Sequence, residues 1–166
     1  MAQDVFIGTG SNLGDRQAAL AKAAELLAPD ANVTKASRVY ETPPWGFEDQ
    51  PAFLNQALQV ETKLDPPALL DHLKRIEQKM GRKSTFRFGP RIIDLDILFY
   101  GDLIYTSDTL QIPHALAAER AFVLVPMREI APDFIHPALG KSMADLARLV
   151  DSSGITIYEE GAHGMD

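Results

Sequence analysis

No cysteine occurs anywhere in the 166 residues. Disulfides, thiolate zinc sites and a cysteine nucleophile are thereby excluded. No apolar run approaches the roughly 20 residues that a membrane span needs. The opening residues Met1-Ala2-Gln3-Asp4 lack the basic region and long apolar stretch of a signal peptide. A cytoplasmic protein with no membrane partner is the expectation. Positive charge is also scarce: 16 Lys and Arg face 23 Asp and Glu, for a net charge of −7, so the global basic footprint of a nucleic-acid binder is missing. There is no internal repeat, low-complexity tract or linker. What is present is ordinary: 46% hydrophobic and 23% charged residues, enough for a normal core. One domain is expected over residues 1–158, with 159–166 as a loose tail, and a monomer is expected.

The distribution of charge says more than its sum. Between Lys74 and Arg91 stand seven basic residues (Lys74, Arg75, Lys79, Arg82, Lys83, Arg87, Arg91) and one acidic residue, Glu77. A concentrated cationic segment in an acidic chain suggests a local polyanion site, although a solvated helix end with a charged loop would look the same.

Val5-Phe6-Ile7 reads as a short strand ending at Gly8, and Gly8 to Gly14 as a tight turn. Asp15 can cap a helix from Arg16 to Leu27. Val33 to Tyr40 and Phe53 to Thr62 read as strands, separated by a loop around Pro43 and Pro44. Asp65 followed by Pro66 starts a second helix that Gly81 closes. A basic loop from Arg82 to Pro90 leads into a strand from Ile92 to Tyr100. Phe122 to Val125 has no clear assignment. Ser142 starts a late helix, and Ile155 to Tyr158 reads as a last strand. The order strand, helix, strand, strand, helix, strand is the ferredoxin-like βαββαβ pattern of an α+β domain: an antiparallel sheet with helices on one face, the other open to a ligand or further helices.

The chemistry-bearing residues are few. On the strand Ile93 to Ile97, alternation sends Ile93, Leu95 and Ile97 inward and brings Asp94 and Asp96 out together, about 7 Å apart. Two neighbouring carboxylates repel, and divalent magnesium relieves that cost while leaving positions open for phosphate oxygens. An Asp-x-Asp pair alone also fits a polar strand face in water. Nearby Arg91, Arg82, Lys83 and Arg87 supply guanidinium and ammonium groups, the complement used in nucleotide phosphoryl transfer. Neither glycine motif for nucleotides is present: position 13 of Gly8 to Gly14 is leucine, and Ile135 stands where a P-loop ending in Gly140-Lys141-Ser142 needs glycine. Phe53 and Asn55 share a strand face, and an aromatic beside an amide can hold a flat heterocycle. Phe122 and the single tryptophan, Trp45, could extend that surface. His114, six residues before Arg120, could contact phosphate. His72 reads as a surface residue and His136 as a structural loop residue.

Arg87-Phe88-Gly89-Pro90-Arg91-Ile92-Ile93-Asp94-Leu95-Asp96-Ile97-Leu98 resembles the signature of the 6-hydroxymethyl-7,8-dihydropterin pyrophosphokinase family of folate synthesis. Gly10-Ser11-Asn12-Leu13-Gly14-Asp15, Thr42-Pro43-Pro44, Phe53-Leu54-Asn55, Pro113-His114, Arg120-Ala121-Phe122 and Glu129-Ile130-Ala131-Pro132 support it in the right order. The resemblance implies transfer of the β,γ-diphosphate of ATP to the hydroxymethyl group of a reduced pterin, with AMP leaving. It implies two magnesium ions on Asp94 and Asp96, a triphosphate held by Arg82, Arg91, His114 and Arg120, and Glu77 and Ile97 lining the nucleotide site. Thr42 and Asn55 would hydrogen-bond the pterin between Phe53 and Phe122, with main-chain groups near Pro43 and Trp45 completing the pocket. Mobile loops at about 43–52 and 82–90 belong to the same implication. Phe53 stands where some relatives carry tyrosine, Phe88 where tryptophan is common, and Ala115 where tyrosine can follow the histidine. A regulatory ligand-binding module of the same fold, or another Asp-x-Asp transferase, are the competing readings.

Overall fold

The structure, a computed structural model, describes residues 4–43, 51–81 and 92–158. The tail after residue 158, Trp45, and the basic segment from Arg82 to Arg91 lie outside the described residues.

Apolar alternation and two capped helices build the first half of the chain. Strand β1 (Val5–Ser11) leads to helix α1 (Arg16–Leu27), where the Asp15 side chain accepts the Ala18 N–H. Strands β2 (Ala31–Ala36), β3 (Tyr40–Thr42) and β4 (Phe53–Thr62) follow. Helix α2 (Pro66–Lys79) begins with the Asp65 side chain accepting the Ala68 N–H, and Gly81 sits at φ +86° just past its end. Strand β5 (Asp94–Tyr100) completes the βαββαβ core. Beyond it come the small hairpin β6 (Tyr105–Thr106) and β7 (Gln111–Ile112), helices α3 (Ala121–Ile130) and α4 (Met143–Arg148), and the short strand β8 (Thr156–Ile157).

The main sheet runs β5-β1-β4-β3-β8, with β2 also pairing to β4, and every pairing is antiparallel. This is the ferredoxin-like order once β2 and β3 are taken as one interrupted strand. The interruption has a local cause. Ser37 Oγ accepts the Ala57 N–H at 3.0 Å and Gln56 Nε2 donates to the Ser37 carbonyl at 2.7 Å, so side chains replace part of the backbone ladder.

Alternation sorts each strand into two cores. Val5, Ile7, Leu54, Leu58, Val60, Ile93, Leu95 and Ile97 pack against Leu20, Ala23 and Leu27 of α1 and Leu69, Leu73 and Ile76 of α2. On the opposite face Phe6, Ala57, Leu98 and Phe99 meet Leu124, Met127 and Ile130 of α3 and Met143 and Leu146 of α4. Phe134 sits edge-on to Phe6 and Phe99, with ring centroids 4.9 and 5.1 Å away. The second face is thus partly roofed by helices, and what they leave open is the site. The unassigned stretch from Phe122 to Val125 is the first half of α3.

Besides the break in the strand read over Val33 to Tyr40, two local expectations change. The glycines at positions 8 and 10 lie within β1 rather than in a turn; only Gly14, at φ +71°, takes a left-handed turn conformation. His72 is not a surface residue: its Nε2 lies 2.9 Å from the Leu27 carbonyl, between α1 and α2. Among the described residues no helix is long and apolar enough to cross a membrane.

Helix α3 is tied to the sheet by Glu129, whose Oε1 accepts the Tyr40 hydroxyl at 2.6 Å and whose carboxylate accepts the Arg38 N–H at 3.1 Å. Glu129→Ala leaves both donors without that acceptor and should cost roughly 1–3 kcal/mol of unfolding free energy. Glu129→Gln, which can still accept, should cost less. Urea denaturation of the three proteins checks this, and equal stability of Ala and wild type would contradict it.

Candidate active site

The site follows from what β1 lacks. Across the second sheet face, Asn55, Gly10 and Asp94 lie in register, and in the next row Ala57, Gly8 and Asp96. The central strand therefore contributes no side chain at either row. Asn55 stands on one flank and the two aspartates on the other. A Cβ at Gly10 would sit 2.9 Å from Asn55 Nδ2, and one at Gly8 would sit 3.2 Å from the Leu98 side chain. These glycines are needed for close approach, not for turning.

The resulting trough is a cavity of about 280 Å³. Thr42, Pro43 and Phe53 line its outer end. Asn55 and the glycines line its floor, with Asp94, Asp96 and His114 at the inner end and Arg120 and Phe122 along the wall. Thr42 Oγ1 donates to Asn55 Oδ1 at 2.7 Å, both residues being buried, which fixes the amide with its nitrogen toward Gly10. The Arg120 guanidinium lies 5.4 Å from the centre of the Phe122 ring, a cation–π distance that ties these two wall residues together.

A second cavity, about 250 Å³, opens on the other side of Asp94, Asp96 and His114. Glu77 and Ile97 line it together with Lys74, Thr109 and Gln111. Glu77 is buried, and its Oε2 accepts the N–H of Leu95 at 2.8 Å, on the edge of β5 that faces away from β1, between the two aspartates. The carboxylate pair thus sits where a trough with aromatic and amide groups meets a second, more polar chamber. Among the described residues no cluster of three metal-ligating side chains occurs. Two carboxylates on a rigid strand, both reached from two cavities, suit a cation that takes its other ligands from water and phosphate oxygens.

Electrostatics agree with that geometry. Burial lowers the His114 imidazole below its ordinary range, and the neighbouring Arg120 charge lowers it further. Leu116 N–H donates to His114 Nδ1 at 3.3 Å, so the neutral ring carries its proton on Nε2 and can donate from there. Burial lowers Arg120 as well, opposed by Asp96, Asp94 and Glu119, so the guanidinium keeps its charge beside the carboxylates.

With this geometry in place, the comparison with known proteins is direct. The family model of 7,8-dihydro-6-hydroxymethylpterin-pyrophosphokinase (HPPK) matches residues 6–132. The chain belongs to the HPPK family. It is 43% identical over 141 residues, 85% of this chain and 88% of the relative, to a 2-amino-4-hydroxy-6-hydroxymethyldihydropteridine pyrophosphokinase of Aquifex aeolicus. An HPPK enzyme of the same name from Methylorubrum extorquens is 44% identical over 93% of this chain and 98% of its own length. A mitochondrial folate synthesis bifunctional protein of Pisum sativum is 46% identical over 77% of this chain, which spans 25% of that protein. A crystal structure of Plasmodium falciparum HPPK-DHPS with pteroate superposes at a TM-score of 0.73 over 90% of this chain and 42% of that one; at 18% identity the likeness concerns the fold.

The structure brings together Thr42, Pro43, Phe53, Asn55, Asp94, Asp96, His114, Arg120 and Phe122 in one trough and sets Glu77 and Ile97 in the adjoining chamber. Arg82, Arg91 and Trp45 are outside the described residues. Gly8, Gly10 and Leu98 were missed as lining residues, as were Thr109 and Gln111, whereas Lys74 belongs to the cationic segment that suggested a polyanion site. A glycine inside an alternating strand is the sequence signal that could have exposed the first two.

The His114 shift has a measurable sign. A folded-state pKa below the unfolded value of about 6.5 means that the unfolded chain binds the proton more readily. This contribution to stability is complete above about pH 6.5 and is lost as pH falls through the folded pKa. Histidine NMR titration should find His114 below the ordinary range, and Arg120→Met should move it upward. A downward move or no change on that substitution would contradict the arrangement.

Proposed function

We propose that the chain transfers the diphosphate of ATP to the hydroxymethyl group of 6-hydroxymethyl-7,8-dihydropterin, releasing AMP, as a step of folate synthesis. Family membership supports the reaction. The observation that carries it onto this chain is the carboxylate pair shared by a trough with aromatic and amide groups and a second, polar chamber.

In this reading the pterin lies in the trough between Phe53 and Phe122, with Asn55 Nδ2, oriented by Thr42, as a donor to its ring. Main-chain groups near Pro43 border the same end. The nucleotide occupies the second chamber, lined by Glu77 and Ile97, and its phosphates reach toward Asp94, Asp96, His114 and Arg120. Two magnesium ions on Asp94 and Asp96 would neutralise phosphate charge and lower the barrier to attack. Arg82, Arg91 and Trp45 belong to this proposal on the sequence pattern and the family resemblance. A cytoplasmic monomer, as expected from the sequence, completes the proposal.

The chemistry needs no protein nucleophile. The pterin hydroxyl oxygen forms a bond to the β-phosphorus in line with the bridging oxygen to the α-phosphorus. The bond between the β-phosphorus and that bridging oxygen breaks, AMP leaves with the oxygen, and the hydroxyl proton passes to solvent. Arg120 stabilises charge spreading over the phosphoryl oxygens, and neutral His114 donates from Nε2 without adding charge. Phe53 and Phe122 limit the water that could compete with the hydroxyl.

Incubation with ATP, magnesium and the pterin alcohol should yield AMP and no ADP. Asp94→Ala and Asp96→Ala should each lower turnover by roughly three or more decades, since each removes several kcal/mol of transition-state stabilisation. Near-normal turnover of both variants would remove the carboxylates from the mechanism, and ADP as product would replace the reaction class.

A further inference from the structure

The outer end of the trough is set by one cross-strand pair, Thr42 of β3 opposite Phe53 of β4. The chain neighbours of that pair, Glu41 and Ala52, are held by a single side chain on the far face of the sheet. Arg16 Nη1 donates to Glu41 Oε2 at 2.9 Å and to the Ala52 carbonyl at 2.8 Å. Its guanidinium also lies 5.6 Å from the centre of the Tyr158 ring, beside the edge strand β8 that pairs with β3. Asn12 Nδ2 adds a bond to the Pro51 carbonyl at 3.1 Å.

Glu41 pairs with Leu54, which packs against the α1 side, so Glu41 points away from the trough while Thr42 points into it. Arg16 is the first residue of α1, whose start is fixed by the Asp15 cap. The side chains of Arg16 and Glu41 are only 23% and 31% exposed, which sets the pair apart from a solvated surface pair free to change partner. A bond to a main-chain carbonyl one residue before Phe53 and another to the residue before Thr42 set the spacing of β3 and β4 at the trough's end. Arg16 lines neither cavity and has no part in the transfer itself.

We propose that Arg16 is a positioning residue for the pterin: through Glu41 and Ala52 it holds Thr42 and Phe53 at the separation the flat ring requires. The inference rests on reading the trough as the pterin site. Because geometry at one end is at stake, the effect should fall on one ligand only. Arg16→Met in the full chain should raise the pterin dissociation constant and KM roughly 10- to 100-fold, as small misplacements in a site do. Affinity for a non-hydrolysable ATP analogue with magnesium should stay unchanged. Glu41→Gln, whose amide oxygen still accepts the guanidinium bond, should bind pterin nearly as wild type, and Glu41→Ala should not. Calorimetric titration of both ligands, with thermal melts of each variant, reads all of this. Unchanged pterin affinity in Arg16→Met would overturn the inference, as would parallel loss of both ligands with a lowered melting point. Failure of the wild type itself to bind the pterin would instead overturn the proposed function.

Discussion

Two absent side chains on β1 determine the rest of the site. A six-stranded sheet face roofed by α3 and α4 would ordinarily fill with interdigitated side chains at close packing. Gly8 and Gly10 prevent this along the middle strand, in register with Asp96 and Asp94 on one side and Ala57 and Asn55 on the other. The neighbours cannot close the gap. Asn55 is held by Thr42, and the segment carrying the aspartates is held on its side away from β1 by Glu77 through the Leu95 amide. A trough that would otherwise collapse is kept open by polar bonds on both flanks, and the aspartates line its inner end.

This arrangement accounts for why so little of the protein needs to be chemically special. The ferredoxin-like core supplies rigid strands, and in the proposed reaction the activity would rest on a few positions that line the trough. Phosphoryl-type transfer depends on placement and charge more than on covalent participation. In the proposed reaction a fixed carboxylate pair, a charged Arg120 and a neutral His114 would meet that need. Polar ties hold the surrounding elements: Glu129 joins α3 to Tyr40 of β3, Glu77 holds β5 through the Leu95 amide, and Arg16 bonds to Glu41 and Ala52 at the β3–β4 end.

Much of this was legible in the sequence, for physical reasons that differ by element. Helices α1 and α2 were readable because Asp15 and Asp65 cap them and their apolar spacing is regular, and β4 and β5 because they alternate cleanly. Alternation alone placed Asp94 with Asp96, and Phe53 with Asn55, on shared strand faces; their proposed roles came from the neighbouring basic residues and the family resemblance. Helix α3 was not readable, since Pro126 lies inside it and its buried residues leave little polar contrast. The full length of β1 was hidden by its glycines, which signal a turn in most contexts but here mark close approach. The break between β2 and β3 depends on Ser37 and Gln56 bonding to backbone, which no hydrophobic pattern records. The Arg16 tie to Glu41 and Ala52 joins residues far apart in sequence and has no local signature.

The claim that the glycine-floored trough is the pterin site is tested most directly by filling it. Gly10→Ala places a methyl group 2.9 Å from Asn55 Nδ2 while leaving the aspartates and the second chamber unaltered. Calorimetric titration of this variant should show loss of reduced-pterin binding with affinity for a non-hydrolysable ATP analogue retained. Pterin binding at wild-type strength in Gly10→Ala would contradict the account.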